Sequence, residues 1–358
     1  MPTARRDQID LNTTGFYHCY VRCVRRSFLC GKDKLTQQDY THRKQWIVDR
    51  LKKLTEVFAI QIAAFAVMSN HYHVILCVNV REATAWTEPE VIERWRAISQ
   101  IDPNTILSKE KITEWRARLS SISWFMRYMN ERVARLANRE DHVTGRFWEG
   151  RFKSQALTDW GALLTCMAYV DLNPIRAGLS QSLEDSEYTS IKERLEAVLQ
   201  DGTPIEVMQG LERGEGAHEC PNSGTESATL CEALLPPEVS STPRTQNYIP
   251  GLMRFEGSGM DLENESVLPF TKEAYFELVD WTGRIVKDGK GFIPAEVPSI
   301  VERLGLNSKH WVHSVKHYGL KHQRIVGTLV ALQKWAAKIG QRRLHGQGMA
   351  LTLYAPSG

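Results

Sequence analysis

The 358-residue sequence lacks any apolar run near the ~18 residues that a membrane span requires. Its first residues, MPTARRDQIDLNTTG, are too polar for a secretory signal, and its seven cysteines are an odd number scattered along the chain. We therefore expect reduced thiols in a cytoplasmic protein that does not enter a membrane. The sequence also lacks a Gly-Lys-Ser/Thr phosphate loop, which argues against a helicase-type replication initiator.

The net charge of +3 is small because basic and acidic segments cancel. Lys and Arg outnumber Asp and Glu by 12 to 5 over residues 1–55, and by 10 to 5 over 111–155. The balance reverses to 3 against 12 over 201–270, and returns to 13 against 6 over 271–346. Basic segments that also carry aromatic residues favour a partner with a phosphate backbone, although solvated helix faces would give the same counts.

Composition divides the chain into three parts. Residues 1–198 alternate predicted strands and helices, with a charged helical insertion at about 84–120. Residues 199–265 are acidic and rich in Gly, Ser, Thr and Pro, which predicts a flexible linker. Residues 266–346 regain helical periodicity and predict a small all-α C-terminal domain.

Two histidines follow a predicted turn between two buried strands. The strands are FAIQIAAFAVM (58–68) and HYHVILCV (71–78), and they are separated by Ser69-Asn70. Residues i and i+2 of a strand point to the same side, so His71 and His73 would present two imidazoles together. This is half of a divalent-metal site, or else a pair of polar residues at the edge of a sheet.

A helix predicted over 160–172 begins at an Asp159 N-cap and carries a phenol and an amide near its end. Tyr169 and Asn173 are four residues apart, on the side opposite the apolar stripe that includes Leu163. They could face a second functional surface. A tyrosine at the boundary of the core and an Asn C-cap before Pro174 would have the same spacing.

Four ordered segments resemble the REP-associated tyrosine transposases, relatives of the small insertion-sequence transposases in the single-tyrosine HUH (His, hydrophobic, His) superfamily. The resemblance runs from about Phe16 to Tyr188. The matching segments are FYH (16–18), VMSNHYH (67–73), GRFWEGRFKS (145–154) and YVDLNPIRAG (169–178).

This resemblance implies an α+β fold, with a ferredoxin-like antiparallel sheet and packed helices as the HUH transposase core. It assigns the nucleophile to Tyr169, two metal ligands to His71 and His73, and a third ligand to Asn173. It further implies Mg²⁺ or Mn²⁺ as cofactor, single-stranded or hairpin DNA as partner, and a nucleoid-associated location in a bacterial cytoplasm. A homodimer is a candidate assembly, because related enzymes act as dimers or as monomers.

The implied function is cleavage and strand transfer of single-stranded DNA at or near hairpin-forming repeats, and hence DNA transposition. A phenol, with a pKa near ~10, is a poor nucleophile unless it is assisted. A 5′-phosphotyrosine intermediate would keep the energy of the broken bond for rejoining. The alternative is a regulator of the same fold that binds hairpin DNA without cutting it.

A loop is predicted over 142–157, and within it residues 145–154 alternate basic and aromatic types, a pattern that suits phosphates and unpaired bases. A packed loop with a charged rim explains the same pattern. His18, on the first predicted strand, is interpreted as structural. The candidate DNA-binding residues are those of the loop and of the end of the first strand: Arg22, Arg25, Arg26, Arg146, Trp148, Arg151 and Lys153.

Overall fold

The computed structural model describes residues 8–24, 27–33, 37–102, 104–200, 249–256, 267–288, 299–321, 324–342 and 344–355. The N-terminal part follows a βαββαβ order with three extra helices before the second long helix. Its elements are β1 (Phe16–Arg22), α1 (His42–Thr55), β2 (Ile60–Val67), β3 (His71–Val78), α2 (Val80–Ala85), α3 (Glu88–Arg96), α4 (Lys109–Leu119), α5 (Ile122–Glu140) and β4 (Lys153–Leu157).

The sheet has the strand order β2-β3-β1-β4-β5, where β5 is a two-residue strand, Ile325–Val326. The pairs β1–β3, β1–β4 and β2–β3 are all antiparallel, whereas β4 and β5 are parallel. The first four strands therefore have the topology of the ferredoxin-like fold. This confirms the α+β fold class, and β3, which carries His71 and His73, is an inner strand of the sheet.

Each face of the sheet is covered by its own apolar core, which explains why β2 and β3 are almost continuously apolar. Tyr72, Val74 and Leu76 point into the core beneath α1 and α5. Ile75 and Cys77 point into the opposite core, against α6 (Trp160–Asp171). The side chains of β3 alternate between these two cores, as the period of a strand requires.

The predicted insertion at about 84–120 contains α3, α4 and the end of α2, and α4 packs on α2, α3 and α5. Thr87 caps α3 with a capping box that includes Glu90. Arg116 of α4 donates from Nη1 to the backbone oxygens of Ala83 (2.6 Å) and Trp86 (2.5 Å). These bonds tie α4 to the end of α2.

The C-terminal region forms helices, as predicted, but it packs directly against the core. After α6 come α7 (Asn173–Arg176), α8 (Ser190–Gln200), α9 (Lys272–Asp288), α10 (Ser299–Arg303), α11 (Ser308–Lys321), α12 (Leu329–Lys338) and α13 (Gln347–Leu353). The short strand β5 pairs with β4, and α11 lies along α6. The C-terminal residues thus contribute both to the sheet and to the core beneath α6.

Part of the predicted linker also has a fixed place. Most of residues 199–265 lie outside the described residues, but the described residues 249–256 continue the sheet edge beside β2. The backbone of Ile62 accepts from Met253 N (2.8 Å) and donates to Gly251 O (3.0 Å).

A buried carboxylate joins α6 to α8 and to α9 of the C-terminal region. Asp171, at the end of α6, accepts from Ser190 Oγ (2.5 Å), from the backbone N of Ile191 (3.1 Å) and from Tyr275 Oη of α9 (2.5 Å). Burial raises the pKa of Asp171, and the nearby Arg194 opposes that effect.

Among the described residues, no helix combines the length and the hydropathy that a membrane span requires.

Candidate active site

His71 and His73 lie at the start of β3, on the face that is covered by α6. Across the ladder, His71 is opposite Arg22 and His73 is opposite Tyr20 of β1. The two imidazole rings are 5.0 Å apart between centroids, nearly perpendicular. His73 is almost completely buried, at 3% exposure, whereas His71 is half-buried at the rim. The strand therefore presents both imidazoles on one side, as its alternation predicts.

A third histidine fixes the proton positions of this pair. Gln155 Oε1 lies 2.6 Å from His18 Nδ1, and an amide oxygen can only accept, so Nδ1 of His18 carries its proton. His18 Nε2 is then an acceptor for His73 Nδ1–H at 2.8 Å. The Nε2 atom of His73 is left with a free lone pair.

His71 reaches the same state by a different bond. Its Nδ1 donates to Asn70 Oδ1 at 2.6 Å, which leaves its Nε2 as an acceptor. Histidines that bind metals typically donate their second ring N–H to an oxygen or to another acceptor in this way. Both histidines are therefore in the tautomer that a divalent cation requires.

The imidazoles are held neutral by burial. Loss of solvent lowers the pKa of His18 to about 4 and that of His71 to about 4, where Arg22 adds to the effect. Burial lowers the pKa of His73 well below its ordinary value, and its neighbours His18 and His71 lower it further. A neutral imidazole is the form that coordinates a metal ion.

Tyr169 approaches the histidines from α6. Its ring meets the edge of the His73 ring at a centroid distance of 5.6 Å and an interplanar angle of 88°. The Arg176 guanidinium lies 4.6 Å from the centre of the Tyr169 ring. Burial raises the pKa of Tyr169, and Arg176 opposes that rise. The structure therefore brings together three of the predicted residues: His71, His73 and Tyr169.

Helix α11 covers Tyr169. The Tyr318 ring stacks on the Tyr169 ring at 4.8 Å and 29°, and only 8% of Tyr169 is exposed. Gly319 lies so close that a Cβ atom there would be 2.8 Å from Tyr169 Oη. Arg176 Nη2 donates to Lys316 O at 2.7 Å, which ties α11 to the end of the α6–α7 segment. In this conformation the phenol faces protein instead of solvent.

Asn173 is bonded to its own helix. Its Nδ2 donates to Tyr169 O at 3.0 Å and to Val170 O at 3.4 Å, and the residue is buried. Neither bond uses its amide oxygen, which is the atom a hard cation would take. Within the described residues, Asn173 makes no hydrogen bond or ring contact with His71 or His73.

A metal site here would have a mixed donor set. In the described part of the chain, no group of three or more His, Cys, Asp or Glu residues is arranged to hold a metal. Two imidazole nitrogens and one amide oxygen, with water at the open positions, suit a borderline-to-hard divalent ion. The residues therefore fit Mg²⁺ or Mn²⁺ if Asn173 turns its oxygen towards the histidines.

The candidate DNA-binding residues that the structure describes lie on β1, on β4 and on the loop between α5 and β4. Arg146, Arg151 and Lys153 are exposed, and Lys153 Nζ is 5.6 Å from the Tyr20 ring. Arg22 is half-buried beside His71. Arg25 and Arg26 lie outside the described residues.

Trp148 is packed instead of open to stack on a base. It is 8% exposed, and its Nε1 donates to Asn130 O at 2.9 Å. Its ring lies edge-on to Tyr72 and to Phe147. Its place in the structure is thus that of an anchor for the loop.

From the sequence, His18 was predicted to be structural, and no role was predicted for Gln155 or Tyr318. The signal for His18 was its alternation with Tyr20 and Arg22, because β1 must present all three on one face. The register of β1 against β3 places that face beside His71 and His73. No local pattern marks Tyr318, which reaches Tyr169 from another part of the chain.

Comparison with known proteins gives one likeness. No family model matches the sequence, and no curated protein matches it. The similarity found is to a solved structure that covers 64% of this chain and 100% of its own, with 15% sequence identity and a TM-score of 0.35. That structure, to which this chain is similar, is of a REP-associated tyrosine transposase bound to a REP hairpin.

Proposed function

We propose that this protein is a metal-dependent endonuclease and strand transferase of single-stranded DNA, with Tyr169 as its nucleophile. The observation that carries the proposal is the contact of Tyr169 with His73, which lies beside His71. Each histidine has a free Nε2 because its Nδ1–H is donated in a hydrogen bond. A phenol, two metal-ready imidazoles and a nearby amide are the groups that phosphodiester transfer to tyrosine needs.

The reaction transfers the phosphate from the 3′ oxygen of DNA to the phenol of Tyr169. Tyr169 Oη attacks the scissile phosphorus, an O–P bond to tyrosine forms, and the bond from phosphorus to the 3′ oxygen breaks. The phenolic proton is lost, and the leaving oxygen takes up a proton to become a 3′-OH. A divalent ion held by His71, His73 and Asn173 would supply Lewis-acid polarisation of the phosphate and stabilisation of the leaving oxygen.

The protein's own groups prepare this step. His71 and His73 would hold the ion through Nε2, and Asn173 through its amide oxygen. His18 and Gln155 keep His73 in the correct tautomer. The positive charge of Arg176 favours the phenolate form of Tyr169, because it lowers the pKa that burial raises.

The rest of the substrate would lie along the basic rim. Arg22 and Lys153 lie on β1 and β4 beside the histidine pair, and Arg146 and Arg151 lie on the exposed loop before β4. All four can neutralise phosphates without reading a sequence. The sequence resemblance implies that the substrate is DNA with hairpin-forming repeats, which is cleaved at or near the hairpin, and that the reaction serves DNA transposition.

A second candidate function is a hairpin-binding regulator of the same fold that does not cut DNA. The specific observation in its favour is the cover over Tyr169, which leaves the phenol 8% exposed. Under this reading the basic rim binds DNA while α11 remains closed. The two functions differ in one product, a covalent bond between protein and DNA.

A covalent-capture assay separates them. Purified protein is mixed with labelled hairpin DNA from the repeats that flank its gene, with Mn²⁺, with Mg²⁺ or with a chelator. We expect a metal-dependent adduct that resists denaturant and disappears in Tyr169→Phe but persists in Tyr40→Phe, since Tyr40 lies outside the site. Hairpin binding on a native gel, without an adduct under any metal, would favour the regulator instead.

A further inference from the structure

A long basic groove runs along the exposed side of α5, on the face of the sheet opposite Tyr169. It consists of two depressions of about 550 Å³ and about 610 Å³ that share Arg127 and Glu131. The first lies between α5, α1 and the α3–α4 insertion. The second lies between α5 and the loop 145–152. Each depression is large enough for a small organic ligand or for part of a polymer.

The first depression carries far more positive than negative charge. Five guanidinium groups line it, those of Arg50, Arg118, Arg127, Arg132 and Arg135, against the single carboxylate of Glu131. That carboxylate is shared, since both Arg127 and Arg135 pair with it, and Arg118 pairs with Glu114, which does not line the depression. Three carboxylate contacts therefore serve three of the five arginines, and within the described residues Arg50 and Arg132 have none. A solvated helix face with balanced ion pairs would not leave such an excess.

Two of these arginines are held near each other without a counterion. Among the described residues, neither Arg50 nor Arg132 pairs with a carboxylate, and Arg50 donates only to Tyr128 O (3.4 Å). Burial lowers the pKa of Arg50, and the positive charge of Arg132 lowers it further. Bringing like charges together costs free energy that a bound anion would recover.

Aromatic rings form the floor beneath these charges. Trp124 has the guanidinium of Arg118 at 4.2 Å and that of Arg127 at 5.0 Å from its ring centre. Trp124 and Tyr128 are half-buried, with Trp95 buried behind them. Guanidinium planes and aromatic faces together are the surface on which unpaired bases stack between phosphate contacts.

The second depression connects this floor with the rim of the candidate active site. Arg146 and Arg151 line it, and they belong to the loop that begins β4. That loop is bonded to the end of β1, since Glu149 N donates to Arg22 O at 2.8 Å. Arg22 is in turn opposite His71. A basic path therefore runs from the histidines, around the end of the sheet, to the arginine-lined depression.

From this path we infer that the groove binds a single-stranded segment of the nucleic-acid substrate that extends beyond the part held at Tyr169. The inference rests on the proposed function for the identity of the substrate. The arginines contact successive phosphates, and the bases stack against Arg118, Trp124 and Tyr128. Single-stranded DNA fits better than an acidic peptide, because the aromatic floor would have no role with carboxylates alone.

The test is the dependence of affinity on the length of a single-stranded extension. Hairpin DNA with no extension, or with oligo-dT extensions of about 4 and about 12 nucleotides, is titrated at several salt concentrations. The variants are Arg127→Ala/Arg132→Ala in the groove and Arg139→Ala as the matched control. Arg139 is exposed on the same helix but does not line the groove.

We expect wild type and Arg139→Ala to bind the longest extension at least about tenfold more tightly than the bare hairpin. The double variant should lose that gain and keep its affinity for the bare hairpin. Its salt slope on the extended probe should fall by about 1.4, since each single-strand phosphate contact contributes about 0.7. An anionic peptide of equal charge should compete only weakly.

Two failures can be told apart. If wild type forms the Tyr169 adduct but the extension adds no affinity, or the double variant keeps the gain, the groove inference is wrong and the proposed function stands. Tighter binding of the acidic peptide than of oligo-dT would identify the groove as a protein-docking site, and would also overturn the inference. If wild type neither binds nor cleaves the hairpin, the proposed function itself fails.

Discussion

The closure of α11 over Tyr169 can be tested by one added methyl group. Gly319→Ala would place a Cβ atom 2.8 Å from Tyr169 Oη, closer than the 3.4 Å at which ordinary van der Waals contact begins. The helix or the tyrosine must then move by about 0.6 Å or more. If Tyr169 must be uncovered to act, this change should accelerate adduct formation.

The expected magnitude follows from the overpacked contact in the closed state. Overpacking of a close contact costs about 1–3 kcal/mol. The gain of about 1 kcal/mol from replacing glycine with alanine inside a helix is the same in the open and closed states, so it does not change closure. Closure should therefore weaken by about 1–3 kcal/mol. Because 1.4 kcal/mol is a factor of ten, the open fraction, and the rate of adduct formation that depends on it, should rise by about 5- to 150-fold.

The structure offers a matched control and a rescue. Gly348 lies in α13 with nothing within 4 Å of its hypothetical Cβ, so Gly348→Ala should leave the adduct rate unchanged. In a Tyr169→Phe background the nearest ring atom to a Cβ at 319 would be Cζ, at 3.6 Å, an ordinary contact. There, Gly319→Ala should no longer destabilise the protein, which urea unfolding in a double-mutant cycle would measure.

Two results would refute the reasoning. The first is an adduct rate that is unchanged or lower in Gly319→Ala while the protein remains as stable as wild type. The second is the same change in unfolding free energy whether residue 169 is Tyr or Phe. Either would mean that α11 does not compete with the substrate for the phenol.

Three further predictions concern the histidines and the buried ion pair. His18→Phe should weaken Mn²⁺ binding about 10- to 100-fold by calorimetry, and His18→Gln should restore most of it, because its amide oxygen can still accept from His73 Nδ1–H; equal affinities in both variants would exclude the tautomer role. The metal-free protein should lose stability as the pH falls from about 6.5 towards 4. The pKa of His18 is lowered to about 4 in the folded protein, so its neutral form stabilises the fold at a pH above the unfolded-state pKa of about 6.5, and this contribution is lost as His18 takes up a proton. For the fully buried His18 the loss is on the order of 3 kcal/mol in urea unfolding, and His18→Phe should flatten the pH dependence. Glu140→Gln/Asp141→Asn should destabilise the protein by about 2 kcal/mol because it leaves the Arg43 guanidinium buried and unpaired, whereas Arg43→Met should cost less in the same assay.

The parts of the site that lie on one strand were predictable from the sequence. The alternation of His71 with His73 requires both to face one side of a sheet, and the structure shows this. The helix that carries Tyr169 was predicted with its N-cap at Asp159, whose side chain accepts from Ala162 N at 2.8 Å. Local signals sufficed for these elements because their geometry is set by neighbouring residues.

The surroundings of α6 were not predictable in the same way. The helix was expected to have one buried face and one open face, but residues Gly161 to Asp171 are all buried. An apolar face against the sheet and a second face beneath the C-terminal helices leave no exposed side. The strand β4 was likewise hidden inside a predicted loop, because its five residues form a strand only between β1 and β5.

Two of the C-terminal helices contact the core in different ways: α9 is hydrogen-bonded to a buried carboxylate, whereas α11 covers Tyr169. Tyr275 of α9 donates a hydrogen bond to Asp171, a buried carboxylate with three donors. Removing α9 would therefore leave this buried carboxylate with one hydrogen bond fewer, which costs free energy. Helix α11 instead meets the site through the stacked Tyr318 ring and through Lys316 O, the acceptor for Arg176. A ring stack contributes about 0.5–1.5 kcal/mol beyond its burial, and Arg176 would find a new acceptor in a substrate phosphate. Uncovering Tyr169 by a movement of α11, with α9 still docked, therefore costs less than releasing the whole C-terminal region. A substrate phosphate that accepts from Arg176 would also offset part of that cost, because Arg176 is the residue that is bonded to α11 in the closed conformation.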